Sequence, residues 1–137
     1  MDLEKCKEAM QEAIADLRFC VELYKIQMDH GRYFLHEHPL TALSWKVKCM
    51  RDLVKHPDVK VVVGHMCAHG MTLDHNGRKE KVYKPTGWCS NSHYIRNHMQ
   101  KLCDRTHTHI SLQRGRAKHV AIYPTSLCLS ILRGIKD

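Results

Sequence analysis

Val59-Lys60-Val61-Val62-Val63-Gly64-His65-Met66 is the stretch on which the fold class turns. Its β-branched run is continuous rather than alternating, the pattern of a strand covered on both faces, and predicts a central strand in a parallel or mixed sheet. Upstream, Leu3, Cys6, Met10, Ala13, Leu17, Cys20 or Val21, and Tyr24 recur at helical spacing. They predict a long amphipathic helix ending near Asp29-His30-Gly31, with Gly31 as its cap. Arg32 to His38 reads as a short strand with a buried Tyr33-Phe34-Leu35 centre, stopped by Pro39. Thr41 or Ser44 can cap a second helix running through Trp45, Val47, Met50, Leu53 and Val54.

Downstream, Asn76-Gly77 between Leu73 and Val82-Tyr83 marks a hairpin, and Thr86 to Cys89 a further short strand. Ser92 to Cys103 reads as a helix with Ile95, Met99 and Leu102 on one face, Ile110 to Leu112 as a strand, and Pro124 as the opening of a last helix. Helices alternating with short strands predict an α/β fold, a central mixed sheet flanked by helices, with the N-terminal helix packed across it. All 137 residues fit one domain: an acidic N-terminal helix, 1–30, and a basic α/β body, 31–137.

Charge is divided unevenly along the chain. Residues 1–31 carry seven acids against four bases, −3, so the net charge of +8 leaves +11 on the rest. A body this basic suits polyanions, and nucleic acid is the expected partner. The basic stretch Arg114, Arg116, Lys118 and His119 is the candidate for phosphate contacts. The longest purely apolar run, Val61-Val62-Val63, is far short of the roughly 20 residues of a membrane span, so no membrane partner is expected. Seven cysteines in a chain with an acidic, amphipathic start (MDLEKCKEAM, 1–10) predict reduced thiols and an intracellular, cytoplasmic or nuclear, location.

Two constellations carry chemistry. In Leu35-His36-Glu37-His38-Pro39, Glu37 is expected at a strand's carboxyl end, where ligand sites of open α/β sheets lie. Flanked by His36 and His38, it is a candidate base-pocket residue able to hold the amidine-like edge of cytosine or adenine; alternatively it pairs with the imidazoles and closes a turn. The second constellation is metal. Cys89-x3-His93 and Cys103-x3-His107 have zinc-pair spacing, but a helix between them would separate His93 from Cys103 by about 15 Å. The expected set is therefore Cys103, His107 and His109 with Cys67 or His65 or His69, the last three alternating on one face of a strand end. Surface histidines and core cysteines are the plainer alternative.

Five segments occur in one order: RYFLHEHPLTALSW (32–45), HMCAHGM (65–71), KPTGWCSN (84–91), CDRTHTH (103–109) and AIYPTSLCLSI (121–131). Together they resemble the methyltransferase-like segment of copia-type retrotransposon polyproteins. More distantly, the series is similar to the C-terminal half of DNA cytosine-5 methyltransferases, over about residues 17–135. The resemblance implies that Glu37 matches the glutamate of the Glu-Asn-Val motif, which holds a flipped cytosine. His38-Pro39 stands where that motif has Asn-Val, and no Gln-x-Arg-x-Arg follows Gly70-Met71; Gln113, Arg114 and Arg116 come some forty residues late. The chain has no Pro-Cys nucleophile and no Gly-rich turn before residue 31 for S-adenosylmethionine. The resemblance therefore implies a nucleic-acid-associated half-domain of a mobile-element polyprotein, not catalytic alone. S-adenosylmethionine would enter only with a missing half, and an upstream polyprotein segment or a homodimer is the expected partner. The rival expectations are a small zinc-stabilised binding module and a Cys/His- or metal-dependent enzyme.

Overall fold

The computed structural model describes residues 2–113 and 115–137, so Arg114 lies outside the described residues. The chain is α/β, with helices on both sides of a three-stranded sheet and a smaller second sheet beside it. Its elements are α1 (Leu3–Asp29), β1 (Leu35–Pro39), α2 (Lys48–Leu53), β2 (Lys60–His65), β3 (Thr72–His75), β4 (Arg78–Val82), β5 (Pro85–Ser90), α3 (His93–Met99), β6 (His109–Ile110) and α4 (Thr125–Lys136). Short 3₁₀ turns cover Leu43–Lys46, Met66–His69 and Arg116–Val120.

The first sheet has the order β1-β5-β2 and is antiparallel throughout. The central strand is thus β5, and the valine-rich β2 lies at an edge with Val61 exposed. β5 is buried along nearly its whole length, although Pro85-Thr86-Gly87-Trp88-Cys89-Ser90 is hardly apolar. Its alternation sends Trp88 to one face and Cys89 to the other, and each anchors a separate core layer. Cys89 packs with Leu17, Val21, Phe34, Met50, Leu53 and Val59 under α1 and α2. Trp88 packs with Met66, Val82, Ile95, Met99, Ile110 and Leu127 under α3, α4 and the second sheet. Gly134 lets α3 and α4 approach closely, because a Cβ there would lie 2.8 Å from the Ile95 Cα.

The second sheet, β3-β4-β6, contains the mixed pairing: β3 and β4 are antiparallel, and β6 runs parallel to β4. The hairpin turns at Asn76 and Gly77, both with positive φ (50° and 74°), as a tight two-residue turn requires.

Several expectations are corrected. α1 packs through its second half only; Leu17 and Val21 are buried, whereas Leu3 is 76% exposed and the helix overhangs the body. Pairing of β1 starts only at Leu35, and of the two residues before it Phe34 is buried, stacked on Tyr24, whereas Tyr33 is exposed. The second helix is broken into a 3₁₀ turn and α2, and neither is capped by Thr41 or Ser44; the Ser44 hydroxyl engages His38 Nδ1 at 3.2 Å instead. α3 stops at Met99, because the next residues bond to the end of β2. His65 N donates to Lys101 O (2.8 Å), and Cys103 N donates to His65 Nδ1 (2.9 Å). Leu102 is left 60% exposed. The last strand is His109–Ile110 rather than Ile110 to Leu112. Among the described residues no helix is long and apolar enough to cross a membrane.

Candidate metal centre

Four residues from three parts of the fold converge where the two sheets meet. Cys67 lies on the 3₁₀ turn that follows β2, Cys103 and His107 on the loop between α3 and β6, and His109 at the start of β6. One ligand atom from each lies within 4.8 Å of all the others. Cys67 is buried, Cys103 and His107 are half-buried and His109 is exposed, so the cluster opens to solvent on one side.

Its spacing fits a tetrahedral ion. Zinc about 2.3 Å from sulfur and about 2.0–2.1 Å from nitrogen sets a sulfur–nitrogen edge of about 3.5 Å. Cys103 Sγ lies 3.5 Å from His107 Nε2 and 3.5 Å from His109 Nε2. Two sulfurs and two imidazoles are also the donor set zinc favours. If all four residues bind, no coordination position is left for substrate, which makes the site a structural one.

The supporting contacts have the same logic. With Nε2 of His107 facing the cluster, its Nδ1 lies 3.5 Å from Asp104 Oδ1, which places a carboxylate beside the far side of the ring. Asp104 is itself pinned by Thr106 N (3.0 Å) and Thr106 Oγ1 (2.7 Å), and these bonds hold its carboxyl below the usual range. Arg105 takes a left-handed conformation (φ 61°), which aims its N–H at Cys103 Sγ, 3.3 Å away. Without a cation, burial and the adjacent Cys103 thiol push Cys67 up to about 11. His109 is lowered by desolvation and by His107, His65 and Lys81. Cys67 and His109 therefore favour their neutral forms in the metal-free cluster, and a divalent cation must displace the Cys67 thiol proton to bind there.

Among the three partners expected for Cys103, His107 and His109, Cys67 is the one in the cluster. The residues after β2 form a 3₁₀ turn rather than a strand end, so His65, Cys67 and His69 do not share a face. His65 accepts the Cys103 N–H. His69 turns into the core, with Nε2 3.0 Å from Met99 O and its ring against Trp88. Cys89 lies in the core under α1 and α2, raised by burial to about 12. His93 is exposed at the start of α3, with Nε2 beside Asn97.

The His36-Glu37-His38 set does not converge. β1 pairs antiparallel with β5, and Glu37 lies opposite Trp88 in mid-strand rather than at a carboxyl end. Alternation puts the two histidines on the other face. His36 is buried against Tyr24, whose hydroxyl lies 2.8 Å from Nδ1, and against Trp45. Glu37 instead accepts from Tyr123 OH (3.1 Å) and faces Lys84 Nζ (3.4 Å), contacts across 86 and 47 residues that no local spacing reveals. Of the basic stretch, Lys118 and His119 are exposed on the 3₁₀ turn, and Arg116 donates to Ser111 O at 3.3 Å. Tyr83, which belongs to no spaced motif, is set by the fold between His65 and His109. No protein-family model, curated protein or solved structure matches the chain.

Proposed function

We propose that this chain is a zinc-stabilised binding module whose metal ties the second sheet to the body. The carrying observation is the four-residue cluster with its tetrahedral sulfur–nitrogen edges and its Asp104–His107 pair. β6 is only two residues long, and its pairing with β4 is short. A cation bound by Cys67, Cys103, His107 and His109 supplies the cross-link that this small sheet lacks. The excess of basic residues supports association with nucleic acid.

The test is elemental analysis of protein purified without metal-affinity chromatography. One zinc per chain is expected, lost in Cys67→Ser and Cys103→Ser and kept in Cys89→Ser. No bound metal in the folded parent, or equal loss in Cys89→Ser and Cys103→Ser, refutes the reading.

A second reading is the methyltransferase-like half-domain of a mobile-element polyprotein. It is favoured by the Tyr123–Glu37 hydrogen bond, which joins the two segments that carry most of the resemblance. In that reading Glu37 faces a base, and S-adenosylmethionine and the nucleophile belong to another segment. Glu37→Gln should then weaken binding to an oligonucleotide with an unpaired cytosine more than to one with thymine; equal effects on both refute it.

A further inference from the structure

Two open cavities meet at Cys103. One, of about 550 Å³, is lined by Lys81, Lys101, Asp104 and the ligands Cys67 and His107. The other, of about 240 Å³, is lined by Tyr83, His65, Arg105 and His109. Leu102 belongs to both and forms the ridge between them. Lys81, Lys101 and Arg105 thus stand around a rim whose one lining carboxylate, Asp104, is already engaged by Thr106 and His107.

The rim also carries a fixed aromatic ring. Tyr83 is 44% exposed, yet its ring packs against His65 (centroids 4.9 Å) and His109 (5.0 Å), and His109 packs on His107 (4.6 Å). A run of rings therefore leads from the metal ligands to an exposed tyrosine. Binding of a cation at His107 and His109 would immobilise it, so a ligand stacking on Tyr83 loses little further side-chain freedom.

We propose that single-stranded nucleic acid binds across this rim, with its phosphates on Lys81 and Lys101 and an unpaired base against Tyr83 and Leu102. The proposal rests on the metal-centre reading, since His107 and His109 hold the platform. Lysines beside an exposed, fixed aromatic ring are the pairing that tracks a backbone while stacking bases without regard to sequence. A duplex would keep its bases from the ring. An acidic peptide or an anionic membrane would use the lysines and leave Tyr83 idle. The site differs from the Arg116–His119 turn to which the basic pattern alone pointed.

The experiment uses the zinc-loaded full chain and a fluorescein-labelled oligothymidine of about 20 nucleotides. Anisotropy titrations are run across a salt series, and zinc content is measured for every variant. The salt slope should fall by about 1.4 in Lys81→Ala/Lys101→Ala, near 0.7 for each phosphate no longer neutralised. Tyr83→Ala should weaken binding at least about fivefold, and Tyr83→Phe should stay within about twofold of the parent. A parent without zinc overturns the metal reading and this proposal with it. Zinc-loaded variants that bind like the parent, or a loss carried wholly by Lys118→Ala, overturn the proposal alone. Equally tight binding to polyglutamate that ignores Tyr83→Ala marks a general polyanion surface and also overturns it.

Discussion

His36 should make the folded state sensitive to mild acid in a way that one substitution removes. Burial, and then the neighbouring His38, lower it from 6.5 to about 4, with Glu37 opposing. Burial raises the Tyr24 hydroxyl to about 12, so it keeps its proton beside Nδ1, 2.8 Å away, and offers an imidazolium no negative charge. The other ring nitrogen, Nε2, is buried without a partner, and an imidazolium would need acceptors at both positions. The unfolded chain therefore binds the proton more tightly than the folded one. Stability from this group is fully present above about pH 6.5, declines as pH falls through the interval to about 4, and changes little below it. With those two values the loss is about 2 kcal/mol at pH 5 and about 3 kcal/mol at pH 4. Urea unfolding at pH 7.5, 6, 5 and 4.5, on parent and His36→Leu, isolates the effect, because every other ionisable group is common to both. The parent should lose about 2 kcal/mol more than the variant between pH 7.5 and pH 5. Parallel pH profiles would show that His36 protonates freely in the fold and that the core placement is wrong.

Stripping the metal with a chelator should lower the thermal midpoint; at free zinc one hundred times the dissociation constant the linkage amounts to about 2.7 kcal/mol, measured by scanning calorimetry with and without zinc. Asp104→Ala should weaken zinc binding about 10- to 100-fold without altering the circular dichroism, as competition with a chromogenic chelator would report. Gly134→Ala forces a Cβ onto the Ile95 backbone and should cost about 1–3 kcal/mol in denaturant unfolding, with zinc content unchanged.

Local chemistry was legible and long-range geometry was not. The Leu3–Asp29 helix, the Asn76-Gly77 hairpin and the proline-led α4 follow from periodicity, turn conformation and capping, all of which act within a few residues. β5 escaped prominence because its burial comes from its place between β1 and β2, while its own residues include Pro85, Thr86, Gly87 and Ser90. The reverse held for Val61-Val62-Val63, whose β-branched run suggested a centre and occupies an edge. At the candidate metal centre, Cys103-x3-His107-x-His109 was readable as one spaced unit. The fourth position required knowing that Met66–His69 winds into a 3₁₀ turn, which carries Cys67 inward and leaves His65 as a hydrogen-bond acceptor. The Glu37–Tyr123 contact had no local signal at all.

The strand order has a further consequence for how the chain is made. β1 and β2 do not touch each other as a ladder; each pairs only with β5, and Leu35 waits for Ser90, fifty-five positions later. During synthesis the first two strands leave the ribosome before their shared template exists. Their edges and the half-covered α1 stay unsheltered until residue 90 has been added and has left the exit tunnel. Closure of such a ladder is late and non-local, so the nascent chain passes through an interval open to mispairing. Arrest of translation just before Pro85 would hold the chain there, with two unpaired strands and one overhanging helix as candidate substrates for a chaperone.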